Sequence, residues 1–441
     1  MTSLRSGGSV RLLVAILILL VPALVAARTI NVSPGDKSGI GGALDGASFG
    51  DIILVGCGVY PENRLEIPDG VSLVGAGHVA ECVIIESIGM FPLVMCTDCG
   101  PMTRIENLTL TVPEGGMAFP VARGGGVNIM NASPIFSNVI ISGFEADYGG
   151  GVYIGDGSSP QFLNCSFEGN YARAAGGGVA CTGGSSPLFA NCLFVDNSAE
   201  TSGGTINCAL GSTPYLFQCT VSGGSGAVGS GVASWDAPGL TMTGVILVDG
   251  LTGRAWDGDW LSAPAPECSD IFGNEGGDWV GALAPYETSY GNISADPQFC
   301  GALDIVHPFT LNDASPCATA SPPGCGVMGA FAVNCSFVSG VGQGSGGLPT
   351  VSRLHANFPN PFNPRTTIKF DLSRSGPVEL AVFDLAGRLV KRLVSESMSA
   401  GSHQAVWEGR DTAGRQASAG VYFFQLKTTD TIDTKRMTLI K

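Results

Sequence analysis

The chain has 441 residues, with 37 Asp and Glu against 22 Lys and Arg, a net charge of −15, and only 13% charged residues. Its 65 glycines and 44% apolar share exclude a charge-rich disordered chain and suit β-structure built on many tight turns. The acidic balance speaks against nucleic acid as a partner, because that binding runs on Lys and Arg neutralising phosphate.

Charge and cysteine divide the chain in two. Residues 351–441 carry 13 basic and 8 acidic residues, whereas residues 28–350 carry 7 basic and 29 acidic. All 14 cysteines lie between Cys57 and Cys335. Two modules with different partners account for both splits.

At the N-terminus Arg5 and Arg11 precede an apolar run over residues 12–24, and Val25-Ala26-Ala27 precede Arg28. A basic start, a short apolar stretch and small residues describe a secretory signal peptide over 1–27, cleaved near Ala27. The run is short for a bilayer span, which needs roughly 20 residues. No later segment is long and apolar enough, so the mature chain is expected to have no transmembrane segment.

The central chain is periodic. Gly-Gly-Gly-Val occurs at 124–127, 149–152 and 176–179, with weaker copies at 203–206 and 229–232. From Val127 to Val152, Val179, Ile206 and Val232 the steps are 25, 27, 27 and 26 residues. Pro134, Pro160, Pro187 and Pro214 keep the same beat, as do Asn138, Asn164, Asn191 and Gln218. A fixed period of this length marks a solenoid in which each turn buries its apolar side only against its neighbours. Within a turn the runs are short and alternate, as in Val152-Tyr153-Ile154, which predicts strands with one buried face. Stacked in register about 4.8 Å apart, Val127, Val152, Val179, Ile206 and Val232 form one interior ladder. Ile129, Ile154, Cys181 and Cys208 form the next. Asn138, Asn164 and Asn191 are expected to stack at a turn, each amide bonding to the next. The reading is a right-handed parallel β-helix over 28–336, in an all-β chain.

Phe167-Glu168-Gly169-Asn170 and Phe194-Val195-Asp196-Asn197, each followed by a Gly-Gly tetrad, resemble the FxxN and GGx repeats of chlamydial polymorphic membrane proteins. More broadly the body resembles the pectin-lyase-like family of secreted β-helices. Its first coils are similar to Ala43, Ala47, the run from Gly50 to Val55, and Gly58-Val59-Tyr60-Pro61-Glu62 here. The resemblance specifies fold far better than chemistry.

The body cysteines have two readings. Neighbouring coils place ladder residues within disulfide reach, and an exported chain meets an oxidising compartment. Three in one ladder, Cys165, Cys192 and Cys219, cannot all pair with one another, so stacked buried thiols are the other reading. Cys300, Cys317, Cys325 and Cys335 are expected to hold a terminal loop by two disulfides, capping the open end of the helix. The four histidines are scattered, and no zinc-type spacing occurs.

Four of five tryptophans, Trp235, Trp256, Trp260 and Trp279, fall within 45 residues. Arg254-Ala255-Trp256-Asp257-Gly258-Asp259-Trp260 reads as an interruption of the repeat. Trp256, Asp257, Asp259 and Trp260 form the candidate ligand site: indoles stack on sugar rings, and Asp accepts hydroxyl hydrogen bonds or holds Ca2+. A loop folding its indoles onto the last coils as a hydrophobic cover is the alternative. A lyase would need clustered carboxylates for calcium beside an Arg or Lys base, and a hydrolase two or three poised aspartates. Asp147, Asp156, Glu168 and Asp196 do not share a repeat phase, and Arg123 and Arg173 are the basic residues of these coils. No catalytic residue and no cofactor beyond that Ca2+ is assigned.

Residues 337–350 form a Gly/Ser-rich linker. Beyond it, short alternating strands over 351–441 read as a β-sandwich. Asn357-Phe358-Pro359-Asn360-Pro361-Phe362-Asn363-Pro364, Val382-Phe383-Asp384-Leu385-Ala386-Gly387-Arg388, Trp407 and Ala419-Gly420-Val421-Tyr422-Phe423 closely resemble C-terminal sorting domains of type IX secretion. They also resemble the immunoglobulin-like module of flagellar hook-capping proteins. The resemblance implies delivery by the outer-membrane secretion machinery to the outer surface of a Gram-negative-type bacterium, or release from it. The expected protein is a non-catalytic, adhesive or glycan-contacting β-helix whose partner is an extracellular polysaccharide. The alternative is a polysaccharide lyase or glycoside hydrolase acting on acidic polysaccharide in a groove.

Overall fold

The computed structural model describes residues 27–77, 80–113, 121–301, 308–318, 325–335, 352–358, 365–384, 388–412, 415–418, 420–428 and 432–439. The expected signal peptide, apart from Ala27, and the linker over 337–350 lie outside these residues, as does most of the proline-rich motif at 357–364.

The body is a β-solenoid of about nine turns. One turn runs through the strands Gln161–Leu163, Ser166–Glu168, Tyr171–Ala175 and Val179–Cys181. Equivalent strands of successive turns pair in parallel, giving among the described residues a broad 16-stranded sheet, an eight-stranded sheet and a five-stranded sheet. The expected ladder is present in register, from Val94 through Val127, Val152, Val179 and Ile206 to Val232. These residues are all buried.

The bend between the five- and eight-stranded sheets explains the glycine beat. Gly149 and Gly176 have φ of +63° and +70°, a conformation glycine adopts without penalty. A Cβ at Gly150 would collide with the Tyr171 and Gly177 carbonyl oxygens, because adjacent coils pass backbone against backbone there.

The core is more aromatic than its valines suggest. Phe136, Phe162 and Phe189 stack face to face, with centroids 4.8 and 5.1 Å apart. Phe167 and Phe194 form a second stack at 4.5 Å, edge-on to the first. Each fully buried ring contributes about 1.5–3 kcal/mol by burial.

The asparagine ladder is not where the proline-adjacent series places it. Asn138, Asn164 and Asn191 are left-handed turn residues, with φ of 54°, 53° and 53°, and the amide-to-amide bond of that series runs from Asn138 to Asn107. The buried amide pair is Asn170–Asn197, from the FxxN motifs. Asn170 Nδ2 donates to Asn197 Oδ1 at 3.0 Å and to the Ile141 carbonyl at 2.9 Å, while Asn170 Oδ1 accepts from Phe144 N–H. Asn197 Nδ2 donates to the Phe167 carbonyl. Asn274 repeats the pattern, accepting from Gly250 N–H and donating to Leu247 O. Inside a dry bend each amide satisfies backbone groups that water cannot reach.

The cysteines split between the two readings. Cys57 and Cys82, on adjacent coils, form a disulfide with Cα atoms 4.8 Å apart. Cys165, Cys192 and Cys219 are buried free thiols that donate to backbone carbonyls.

The terminal cysteine loop differs from expectation. Cys325 bonds back to Cys268, Cys317 is a free buried thiol, and Cys300 is disulfide-bonded. The described part of the terminal segment, residues 308–318 and 325–335, does not plug the open end. It lies against the outer side of the broad sheet, burying Ile246, Val248, Leu311, Cys317 and Met328 in a second small core. Gly329 N–H donates to Gly244 O and Ala330 N–H to Thr220 Oγ1. The interior is closed at that end by Trp279, Leu283 and the short turn Gly281–Tyr286, and at the other by the helix Gly39–Asp45 through Ile40 and Leu44. The outer rung is apolar at Ile246 and Val248, and both are buried beneath that segment.

The C-terminal region is an immunoglobulin-like sandwich of antiparallel strands. Arg353–Phe358, Thr366–Leu372 and Gly401–Trp407 form one sheet. Gly376–Asp384, Leu389–Met398, Gly420–Lys427 and Ile432–Leu439 form the other. Trp407 is buried between them, its Nε1–H donating to Arg410 O and its ring edge-on to Tyr422 at 5.0 Å.

Candidate functional site

The tryptophan segment continues the solenoid; it does not interrupt it. Trp256–Gly258 is a strand paired in register with Val232–Trp235, so Trp256 occupies the rung after Val232 in the interior ladder. It is only 4% exposed, and its Nε1–H donates to Ser234 Oγ at 2.8 Å. Trp279 is buried as well. Asp259 caps a one-turn 3₁₀ helix at Trp260–Ser262, accepting from Leu261 N–H, Ser262 N–H and Ser262 Oγ, and also from Asp236 N–H of the preceding coil. These donors hold its carboxyl below the usual carboxylate range. Asp257 accepts from Gly258 N–H and lies 3.7 Å from the Arg254 guanidinium. Trp260 projects outward, 75% exposed beside Leu261 at 80%. The four residues of this segment are not brought to one surface.

A second feature was not legible as a motif. Strand alternation sends Asn128, Tyr153, Ala180, Asn207, Ala233 and Asp257 to the outer side of the eight-stranded sheet, one above another in register. The five-stranded sheet ends on the parallel rung Arg123, Tyr148, Ala175, Ser202 and Val228. At the glycine bend these rungs face each other across a re-entrant corner. The Arg123 guanidinium lies over the Tyr153 ring, 4.9 Å from its centroid. Asn128 Nδ2 donates to Arg123 O, Ser202 Oγ donates to Asn207 Oδ1, and Trp235 Nε1 donates to Ser202 Oγ. Tyr148 and Trp235 stand at the rim, 48% and 42% exposed. Burial is the main cause pushing the Tyr153 hydroxyl above its ordinary pKa.

Asn128 Oδ1 is buried without a hydrogen-bond partner, one of three such side-chain atoms among the described residues, with Thr205 Oγ1 and Trp279 Nε1. A buried acceptor of this kind costs about 1–3 kcal/mol. The corner therefore presents the Tyr148 and Trp235 rings at its rim, with Arg123 over the buried Tyr153 ring and the Asn128 and Asn207 side chains buried beneath. Outside it, Glu145 pairs with Arg173 at 2.8 Å and Glu200 accepts from Tyr171, so these outer carboxylates are engaged. Asp156 and Asp196 occupy left-handed turn positions, and Glu168 accepts from Ser166 Oγ.

Residues 96–245 match the family model described as a right-handed β-helix region, which gives the hand of the solenoid. Residues 362–431 match that of the FlgD Ig-like domain. No curated protein matches the sequence. Among solved structures, the chain is similar to dimeric latent PorU of Porphyromonas gingivalis, at 21% identity and a TM-score of 0.18, over 20% of this chain and 9% of that one. It is similar to PorZ of the same organism, described as a surface component of the type-IX secretion system, at 19% identity and a TM-score of 0.16, over 20% and 11%. A third likeness, to the alkylpurine DNA glycosylase AlkC of Pseudomonas fluorescens bound to abasic DNA, has 16% identity and a TM-score of 0.16, over 20% and 30%. The matched part is a small fraction of each of these chains. Among the described residues no helix is long and apolar enough to cross a membrane.

Proposed function

We propose that this chain is an exported β-helix, held at the outer cell surface or released, that binds an extended extracellular polysaccharide along the corner and does no chemistry on it. The observation that carries the reading is the pair of exposed aromatic rings, Tyr148 and Trp235, standing in line at the rim of the corner beside the Arg123–Tyr153 pair. Tyr148 and Trp235 are separated by three coils, roughly 14 Å at the strand spacing, which suits a chain lying along the axis. The 29 acidic against 7 basic residues of 28–350 repel an anionic polymer, so the ligand class is a neutral glycan. The immunoglobulin-like region at the C-terminus serves as the address read by outer-membrane secretion machinery, in keeping with its sequence resemblance to sorting domains.

Retention of the full exported protein on a panel of neutral and acidic polysaccharides tests this. Neutral glycan is expected to bind, with little salt dependence and no change on adding a chelator. The Tyr148→Ala/Trp235→Ala double variant should lose binding while Trp260→Ala keeps it. Loss with Trp260→Ala alone would move the site to the tryptophan segment, loss with chelator would establish a calcium site, and release of unsaturated or newly reducing sugars would establish an enzyme. For the tail, deletion of 351–441 is expected to leave the protein in the periplasm; normal surface delivery of the truncated chain refutes the address.

A further inference from the structure

Asp51 is a buried carboxylate whose ligands all come from the start of the described chain and its own turn. Its Oδ1 accepts the main-chain N–H of Arg28 at 2.8 Å. Its Oδ2 accepts Arg28 Nη2 at 2.5 Å, Arg28 Nε at 3.2 Å and Ser48 N–H at 3.0 Å. Arg28 Nη2 also donates to Gly46 O. These bonds, led by the Arg28 side chain, hold the Asp51 carboxyl far below the usual carboxylate range. Immediately afterwards Ile52 N–H donates to Arg28 O, so Arg28 is the residue from which the first pairing of the solenoid, Thr29–Val32 with Ile52–Val55, begins. Ala27 and Arg28 are both exposed residues.

A side-chain ion pair alone needs only the guanidinium. Here the carboxylate also receives the one main-chain nitrogen that a cut after the small residues Val25-Ala26-Ala27 would free. We propose that Asp51 is the seat of the mature amino terminus: the Ala27–Arg28 bond is the processing site, and the new α-ammonium of Arg28 is bound by Asp51 Oδ1. In the cut, made by a peptidase of the export route, water adds its oxygen to the Ala27 carbonyl carbon. The C–N bond breaks, Ala27 leaves as a carboxylate, and the Arg28 nitrogen takes up protons to become an ammonium. The amide hydrogen bond to Asp51 thereby becomes an ion pair, and the first coil gains a charge-assisted anchor only after processing. The processing half rests on the export reading above; the seat does not.

The two halves are tested separately. The mature chain is released from an N-terminal fusion so that it begins at Arg28, and a second form retains Ala27. Acylation of the α-amino group by an amine-reactive reagent at pH 7.5 is followed by mass of the N-terminal peptide. A nearby carboxylate raises an amine by about one pKa unit or more above its ordinary 7.7–8.0. The Arg28 form is therefore expected to react roughly tenfold more slowly than both its Asp51→Asn variant and the Ala27 form. Should Asp51→Asn fail to fold, the Ala27 form, which keeps Asp51, still decides the matter. Equal rates in the Arg28 and Ala27 forms overturn the seat. Intact mass of the exported protein should correspond to a chain starting at Arg28; another start overturns the processing site, and a slow amine in a protein that is never exported would sink the export reading while leaving the seat standing.

Discussion

The regular coils over 121–235 and the closing coils over 241–335 are built from the same strands but obey different rules. In the regular coils each interior ladder residue has a like residue about 4.8 Å above and below it, so the inside repeats by translation while the outside keeps only its facing. Val152 and Phe167 face the core while Tyr153 and Glu168 face out, turn after turn. In the closing coils the outer rung becomes Ile246 and Asp270, and both are buried under the returning segment. Translation maintains a solenoid but cannot end one. The ending needs long-range contacts of low symmetry, here a disulfide and a buried carboxylate.

The contrast can be broken hardest in the phenylalanine stack. Phe167→Ala removes a ring touching Phe162, Phe189 and Phe194, and is expected to cost about 3–5 kcal/mol in denaturant unfolding, with loss of cooperativity between coils. A cost below 1 kcal/mol would show that the coils are held by backbone ladders alone.

Replacing Cys268 and Cys325 by Ser should cost roughly 2–5 kcal/mol. The loss should be confined to the closing coils, read as faster amide exchange over 246–335 with the regular coils unchanged. Uniform loss of protection would erase the distinction between the regions.

The closing coils should also respond to pH through one buried carboxylate. Asp270 accepts from Ala295 N–H and from the Cys317 thiol, but burial dominates and raises its pKa from 3.8 to about 6, helped by Asp278 and Asp296. The raised value means the neutral form is the one the fold favours. Its contribution is complete below pH 3.8 and is lost as the pH rises to about 6, roughly 3 kcal/mol in all. Asp270→Asn should flatten that slope in unfolding measured from pH 4 to 7; an unchanged slope assigns it elsewhere.

Within the regular coils, Asn197→Ala strips a partner from Asn170 and from Phe167 O, for an expected cost of about 1–3 kcal/mol. Trp260→Ala should change stability by no more than about 0.5 kcal/mol, since its indole is in solvent.

Much of the solenoid was legible because its determinants are local and repeated. The Gly-Gly-Gly-Val beat places Val127, Val152 and Val179 in register, and the alternation around them assigns faces. The FxxN motifs contain the buried amides, whereas the more regular Asn138 series lies at left-handed turns where Asn138 and Asn191 are half-buried and Asn164 is exposed. The segment at Trp256 read as a break because it lacks the glycine-valine signature, yet a strand needs only an apolar residue of the right phase, and an indole bonded to Ser234 fills the rung. The corner was illegible for another reason. Its members, Arg123, Asn128, Tyr148, Ser202 and Trp235, keep the coil repeat but change residue type from coil to coil, so no motif recurs to mark them.

By itself, then, the sequence determined the period, the inward ladders and the division into an acidic repeat body and a basic sandwich tail. Those follow from residue size, alternation and backbone freedom acting over a few positions. Tertiary structure alone decided which asparagines are dry, which tryptophans are buried, and how the last coils are covered. It also brought the rims of two sheets into a corner and the Arg28 nitrogen onto Asp51. Each of those depends on where a chain bend carries a side chain 20 or more residues away, and burial and hydrogen-bond satisfaction are settled only there.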